Sequence, residues 1–220
     1  MEAVHLVHAV AVREGRVVES AGDREHVTYM RSSAKPLQAL PLARARDDLD
    51  QRDLAIASAS HRADADQLDA VRALLEKAEA TDDDLECGEE DGTRLRHNCS
   101  GKHAGMLALC RARGWPAPGY RLAGHPVQEG CRAEVAAAVE VDASGMPTAV
   151  DGCGVVTFAL PLERMAHAFG RLATVEGGDR VAAATRRPPS RRSSREKACA
   201  IRSSGSANVT TPQPSTPVRS

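Results

Sequence analysis

The chain begins with a mostly apolar run, Val4 to Val12, followed by a short polar turn at Glu14-Gly15 and a second segment from Gly15 to Glu19. Two such runs on either side of a tight glycine-containing turn predict a β-hairpin. Further along, the apolar run from Leu54 to Ser60 has the length of a strand, but the start of a buried helix would show the same pattern.

Apolar residues recur at helical spacing over much of the chain up to about residue 172. The clearest helix runs from Asp64 to Ala80, where apolar side chains repeat every three or four positions and acidic residues lie near the start. Helices are also predicted over Tyr29 to Leu42, Lys102 to Arg113, His125 to Val141 and Leu162 to Leu172. Ser32 or Ser33 is the expected N-cap of the first of these. Asp151 to Leu160 predicts a loop followed by a strand.

The composition changes at about residue 175. Arg186 to Arg195 is basic and proline-rich, and Ser203 to Ser220 is rich in serine, threonine and proline with almost no apolar residues. Such segments bury too little apolar surface to offset the entropy lost on ordering. We therefore expect one domain over residues 1–174 and a disordered tail over residues 175–220.

The bulk composition narrows the class of protein. Of the 220 residues, 42% are hydrophobic but only 2% are aromatic, so alanine, valine and leucine must fill the core. The formal net charge of -1 gives no reason to expect nucleic acid or an anionic membrane as a partner. We see no membrane-spanning run and no signal peptide. The six cysteines are then expected to be reduced thiols or metal ligands in a cytoplasmic protein.

The segment from His97 to Met106 carries the densest chemistry in the chain. It contains Cys99, Lys102, a hydroxyl and two imidazoles within a few positions. Together with Cys153, which lies in a glycine-flanked turn, two thiolates and a further donor are able to hold zinc. A zinc finger is excluded because the chain has no C-x-x-C pair, and a phosphate-binding loop is excluded because Arg96 and His103 occupy positions that its pattern reserves for other residues. Taken alone, Cys99 fits equally a small buried apolar side chain.

Two further polar segments carry candidate catalytic groups. Ser32 and Lys35 are three residues apart, so on a helix the amine and the hydroxyl share a face. A buried lysine with a lowered pKa is a base for such a serine. Ser60 ends an apolar run, where functional residues often lie. The structural alternatives are an N-cap with a solvated lysine for the first pair and a turn or cap for Ser60.

Taken together and in this order, these segments resemble the bacterial asparaginase II family, which is structurally akin to the serine β-lactamases. The resemblance covers roughly residues 5 to 172. It implies an α/β fold, a serine β-lactamase-like domain whose mostly antiparallel sheet is packed by helices and is incomplete at the C-terminus. The matching pieces are Arg31 to Pro36, Ser58 to His61, Asn98 to Met106, His125 to Gln128, Asp151 to Gly154 and Thr157 to Leu162.

The resemblance also assigns roles to residues. It implies that Ser32 is the nucleophile, Lys35 its base and Ser60 a second active-site hydroxyl. It places zinc on Cys99, Lys102 and Cys153. The implied reaction is hydrolysis of L-asparagine to L-aspartate and ammonia through a serine ester, and family members can be homodimers. Asparagine and glutamine are not separated as substrates by the sequence.

The chain departs from the family pattern in several places. Arg62-Ala63-Asp64 follows the Ser-His element where a glycine and an acid are usual, and Val156 replaces a usual proline. A later glycine-rich segment with a second catalytic lysine is missing, and the tail in its place resembles a truncated or frameshifted end. We therefore expect impaired turnover. Two alternatives stay open: a non-catalytic zinc-binding relic, and another serine-lysine acyl-enzyme hydrolase, although the later β-lactamase elements are missing.

Overall fold

In a computed structural model, which describes residues 4–186, three strands come first, followed by six helices, two further strands and two final helices. The strands are β1 (Ala9–Arg13), β2 (Arg16–Ala21), β3 (Val27–Tyr29), β4 (Thr148–Val150) and β5 (Val156–Pro161). The helices are α1 (Lys35–Gln38), α2 (Leu40–Ala45), α3 (Gln51–Ala57), α4 (Ala65–Lys77), α5 (Ser100–Arg113), α6 (Pro126–Val139), α7 (Leu162–Arg171) and α8 (Gly178–Thr185). Short 3-10 turns cover Arg31–Ala34, Asp82–Asp84, Arg94–Arg96, Ala143–Gly145 and Leu172–Thr174.

The strands form two separate antiparallel sheets. β1 pairs with β2, and β5 lies between β3 and β4 in a three-stranded sheet. The predicted hairpin is confirmed, although its first strand begins only at Ala9. Its turn residues Glu14 and Gly15 have φ angles of 50° and 75°, which are the left-handed values that a tight hairpin turn requires. The mixed α/β class with antiparallel pairing is thereby confirmed.

Four of the five predicted helices are confirmed as α4, α5, α6 and α7. α5 ends at Gly114, whose φ of 65° is the left-handed conformation that glycine adopts easily at a helix C-terminus. His125 is the N-cap of α6, and its Nδ1 accepts the backbone N–H of Val127 at 3.2 Å. These signals lie within the helices or next to their ends, so the sequence predicts the helices without knowledge of long-range contacts.

The ambiguous run from Leu54 to Ser60 belongs mainly to a helix, α3. The reason lies just before the run, in a capping box formed by two aspartates. The Asp50 carboxylate accepts the backbone N–H of Asp53 at 3.0 Å, and the Asp53 carboxylate accepts the backbone N–H of Asp50 at 2.9 Å. This reciprocal pairing satisfies donors that a helix start otherwise leaves free.

The single helix predicted over Tyr29 to Leu42 is wrong. Tyr29 belongs to β3, and after the first 3-10 turn the chain forms two short helices, each with a proline in its first turn. Proline has no N–H to donate inside a helix, so Pro36 and Pro41 start new helices instead of continuing one. The predicted serine N-cap is also wrong, because the Ser33 hydroxyl donates to the Met30 carbonyl at 2.6 Å.

The ordered fold continues past residue 174, where the tail was expected to begin. α8 packs with buried Val181 against the body, and the Arg180 guanidinium donates to the backbone carbonyls of Ala43, Arg46 and Leu49. The expectation of disorder fails for this stretch because small alanines and one long-range arginine supply the contacts that composition alone did not reveal. The remainder of the predicted tail, from residue 187, lies outside the described residues. Between residues 4 and 186, each helix is too short or too polar to cross a membrane.

Candidate active site

The predicted site residues lie on four segments that converge beside α5. Ser32 follows β3 in the first 3-10 turn, and Ser60 lies in the loop after α3. Cys99 immediately precedes α5, Lys102 lies in its first turn, and Cys153 lies in the loop between β4 and β5. Pairing of β3 with β5 brings the first and last of these segments together, although they are more than a hundred residues apart.

Arg31 fixes the turn that carries Ser32. Its φ of 49° is left-handed, a conformation that costs a non-glycine residue about 1–2 kcal/mol. Two contacts hold it there: its backbone N–H donates to Thr157 Oγ1 at 3.0 Å, and its guanidinium lies 2.8 Å from a carboxylate oxygen of Asp151. Ser32 is exposed on this fixed turn. Strained backbone held by several partners is a common feature of functional sites.

Lys35 is the most deeply buried of the candidate catalytic residues, with 1% of its surface exposed. Its Nζ donates to the Ala59 carbonyl at 3.1 Å and to Ser60 Oγ at 2.7 Å. Burial lowers the pKa of Lys35, and the neighbouring Cys99 opposes that shift only in part. The structure thus pairs the lysine with Ser60, where the i, i+3 spacing predicted a pairing with Ser32.

His61 fastens the Ser60 loop to α5. Its Nδ1 accepts the backbone N–H of Ala63 at 3.1 Å, so the ring proton lies on Nε2 and is donated to Ser100 Oγ at 2.8 Å. The Ser100 hydroxyl donates in turn to the Leu95 carbonyl at 2.7 Å. His61 and Ser100 lie within segments that resemble the family, but nothing in their spacing predicts that they bond to each other.

The two glycines of the dense segment allow α5 to lie directly against α3. A side chain at Gly101 would place its Cβ 2.4 Å from the Ile56 carbonyl oxygen, and one at Gly105 would meet the Ala57 methyl at 2.9 Å. Both approaches are closer than real Cβ contacts allow. The glycines therefore serve close helix packing, which sets the separation between the α5 residues and the Lys35–Ser60 pair.

Cys99, Lys102 and Cys153 come together beneath this pair, each at most 5% exposed. Lys102 Nζ donates to Cys153 Sγ at 3.2 Å. The interaction between the Cys99 and Cys153 side chains lowers the pKa of Cys153 and raises that of Cys99. The arrangement favours one thiolate held by an amine and a second thiol.

The donor set of this cluster, two sulfurs and one nitrogen, suits a soft or borderline metal ion. Within residues 4–186, no three histidine, cysteine, aspartate or glutamate side chains group closely enough to hold a metal. A metal ion at this cluster would therefore depend on Lys102 as its third protein ligand.

The other described cysteines differ from this pair. Burial raises the pKa of Cys87 and Cys110 to about 11 and that of Cys131 to about 12, so all three stay protonated near neutral pH. The structural reading of Cys110 and Cys131 as core residues agrees with their burial within α5 and α6. Cys199 lies outside the described residues.

Comparison with known families gives one result. The sequence model of the L-asparaginase II family matches residues 1–201 of the chain. The match spans all four segments of the candidate site. Among individual curated proteins, none matches the chain.

Proposed function

Because the chain belongs to the L-asparaginase II family, we propose that it is an amidohydrolase that converts L-asparagine to L-aspartate and ammonia through a serine ester. The observation that carries this proposal is the Lys35–Ser60 hydrogen bond of 2.7 Å. A buried amine with a lowered pKa, bonded to a serine hydroxyl at the edge of the site, is the arrangement that serine activation requires.

In the proposed first step, the hydroxyl oxygen of Ser32 attacks the side-chain amide carbon. The serine proton passes to the neutral Lys35 amine, with the Ser60 hydroxyl as the relay between them. Lys35 then returns the proton to the amide nitrogen as the C–N bond breaks, which releases ammonia and leaves an aspartyl ester on Ser32. Activation of one water by the same amine cleaves the ester and restores the serine.

Cys99, Lys102 and Cys153 are the residues that would hold zinc in this proposal. Their burial and their two sulfurs and one nitrogen fit that ion. A bound zinc ion would supply positive charge beside the site.

The first experiment measures ammonia release from L-asparagine by the purified chain and three single variants, Ser32→Ala, Ser60→Ala and Ser33→Ala. Ser32→Ala should abolish turnover, and Ser60→Ala should lower kcat by about 100-fold or more because it removes the proton relay. Ser33→Ala is the matched control, because the Ser33 hydroxyl donates to the Met30 carbonyl. This substitution should leave kcat unchanged. Full activity in Ser32→Ala, together with no activity in Ser60→Ala, would indicate that Ser60 is the nucleophile instead of Ser32.

Parallel assays with L-glutamine decide the substrate side chain, and mass spectrometry of quenched reactions shows whether an ester forms on Ser32. A stable adduct with a β-lactam instead would favour another serine-lysine hydrolase.

A second candidate function is metal binding without hydrolysis. It is favoured by the thiol–amine cluster, which is buried and in which Lys102 already contacts Cys153. Elemental analysis separates the two functions. One zinc per chain in the wild type, lost in Cys99→Ser, together with no ammonia release, would support the binding function alone.

A further inference from the structure

The hydrogen bonding between β3 and β5 ends close to Ser32. The Met30 N–H, immediately after β3, donates to the Phe158 carbonyl of β5 at 2.8 Å. Met30 itself has helical backbone angles, a φ of −61° and a ψ of −35°, so the extended conformation stops at this residue. The next residue, Arg31, leads directly into Ser32.

A side chain of β5 replaces the backbone ladder at this point. In a regular strand, successive N–H groups point to opposite edges, so a continued β3 would direct the Arg31 N–H away from β5. Because the chain turns at Met30, the Arg31 N–H donates instead to Thr157 Oγ1 at 3.0 Å. The Thr157 hydroxyl thus accepts the first N–H of the turn that carries Ser32.

Thr157 lies in a part of the sheet that can hold this turn in place. Only 3% of its surface is exposed, and its strand, β5, lies between β3 and β4. Its register partner in β4 is Ala149. Buried residues of a central strand are among the last to open in a protein, so the hydroxyl is a fixed reference point for the Arg31 peptide.

The Arg31 conformation needs such a partner. Its φ of 49° lies in the left-handed region, which a residue with a Cβ rarely adopts unless its surroundings hold it there. The ion pair with Asp151 is the weaker restraint, because 64% of the Arg31 side chain is exposed and exposed pairs contribute little. Without an acceptor for its N–H, the Arg31 peptide could rotate, and the adjacent Ser32 would move with it.

We propose that Thr157 is a positioning residue for the nucleophile: its buried hydroxyl fixes the Arg31 peptide and thereby the location of the Ser32 oxygen. The inference rests on the proposed function, in which Ser32 attacks the amide carbon. A displacement of about 1 Å can lower the rate of such an attack by about 100-fold. Thr157 transfers no proton in that reaction, so its loss should lower the rate equally at every pH.

Steady-state kinetics with L-asparagine test this role. Thr157→Val keeps the shape of the side chain but removes the acceptor, and it should lower kcat by about 10- to 100-fold with little change in KM. Thr157→Ser keeps the acceptor and should recover most of kcat. Thr148→Val, at an exposed position of the neighbouring strand β4, is the matched control and should leave kcat unchanged. Equal losses in Thr157→Val and Thr157→Ser, or no loss in either, would overturn the role.

Amide hydrogen exchange, measured by NMR on the full chain, tests the contact itself. The Arg31 N–H should exchange slowly in the wild type and in Thr157→Ser, and faster in Thr157→Val. Thermal unfolding of each variant identifies any loss of activity that results from loss of the fold. If the wild-type Arg31 N–H exchanges at the rate of an unprotected amide, the inference is wrong, whether or not Thr157→Val folds.

A serine-directed probe separates this inference from the proposed function. A fluorophosphonate reacts with nucleophilic serines without any need for asparagine, and mass spectrometry identifies the labelled residue. A wild type that releases no ammonia, but is labelled at Ser32 faster than Thr157→Val, would reject the asparaginase reaction and support the positioning role. The absence of both ammonia release and label at Ser32 would overturn the positioning role as well, because there would be no reactive serine to position.

Discussion

Lys35 carries its amine in a buried position, with 1% of the residue exposed. Its amine has two hydrogen-bond acceptors, Ala59 O and Ser60 Oγ, and no carboxylate among its hydrogen-bond partners within residues 4–186. Desolvation favours the neutral amine, and the nearby Lys102 adds to this effect. The environment thereby converts an ordinary lysine into a group that can accept a proton from a serine.

The lowered pKa of Lys35 predicts the pH dependence of turnover. A lysine acts as a base only when it is neutral, so kcat/KM for asparagine should rise with pH through the lowered pKa and level off below 10.5, the value of an exposed lysine. Lys35→Arg keeps the positive charge but cannot deprotonate, and it should remove both the activity and the rise. An activity that falls over the same pH range would contradict the assignment of Lys35 as the base.

The same shift links Lys35 to stability. Between its lowered pKa and 10.5, the unfolded chain binds more protons than the folded chain at this position, so the contribution of Lys35 to the free energy of unfolding should increase with pH there. Urea unfolding of wild type and Lys35→Met across that range checks the sign. The free energy of unfolding of the wild type minus that of the variant should increase with pH.

At the scale of elements, α5 organises the site. All its residues from Ser100 to Cys110 are buried, and its glycines permit the close contact with α3. Because α3 leads into the Ser60 loop and α5 carries Lys102, the distance between these two helices determines how the hydroxyl and the metal-binding cluster lie relative to each other.

Gly101→Ala tests this packing. The new Cβ would lie 2.4 Å from a backbone oxygen of Ile56, which no side-chain rotation relieves, so α5 must move away from α3. We expect the free energy of unfolding to fall by about 1–3 kcal/mol, as for overpacked cores, and ammonia release to fall with it. Chemical denaturation monitored by circular dichroism measures the change.

Gly130→Ala in α6 is the matched control, because a Cβ there has no atom within 4 Å. The control should stabilise the protein by about 0.5–1 kcal/mol through higher helix propensity. Equal effects of both substitutions would show that close packing at Gly101 does not hold the helices together.

Local patterns predicted the elements whose signals lie inside their own segments. α4 has helical periodicity and α5 has its terminal glycine, so neither depends on distant contacts for recognition. β3 and β4 escaped prediction because each has only three residues and takes its structure from pairing with β5. The single helix predicted from Tyr29 fails for a related reason: Tyr29 pairs with β5, and Pro36 and Pro41 each start a new helix despite the favourable apolar spacing.

The site was predictable as a set of residues but not as a set of contacts. Cys99, Lys102 and Cys153 were grouped by resemblance, and the Lys102–Cys153 contact of 3.2 Å agrees with that grouping. The pairing of Lys35 with Ser60 joins residues 25 positions apart and depends on how α3 ends, which periodicity does not encode. Likewise, the Arg31–Thr157 contact joins residues 126 positions apart, and neither residue carries a predicted role.

At the scale of the whole molecule, α8 ties the end of the described chain to its middle. Arg180 in α8 donates to three carbonyl groups in α2 and in the segment after it, more than 130 positions earlier in the chain. Arg44 adds a bond from its Nε to the Glu176 carbonyl at 2.9 Å. The carbonyl groups near the end of α2 would otherwise lack donors from their own helix.

Arg180→Ala should therefore destabilise the fold although it lies far from the site. The Arg180 side chain is 28% exposed, and hydrogen bonds to charged groups contribute about 1.5–3 kcal/mol, so we expect a loss of that order in the free energy of unfolding by urea. Arg180→Lys should recover only part of it, because one ammonium cannot reproduce the planar fork that reaches three carbonyls. Arg72→Ala, which removes an exposed pair with Asp69 in α4, is the control and should change stability by less than about 0.5 kcal/mol. If Arg180→Ala proved as mild as this control, the hydrogen bonds of Arg180 would contribute nothing measurable to holding the domain together.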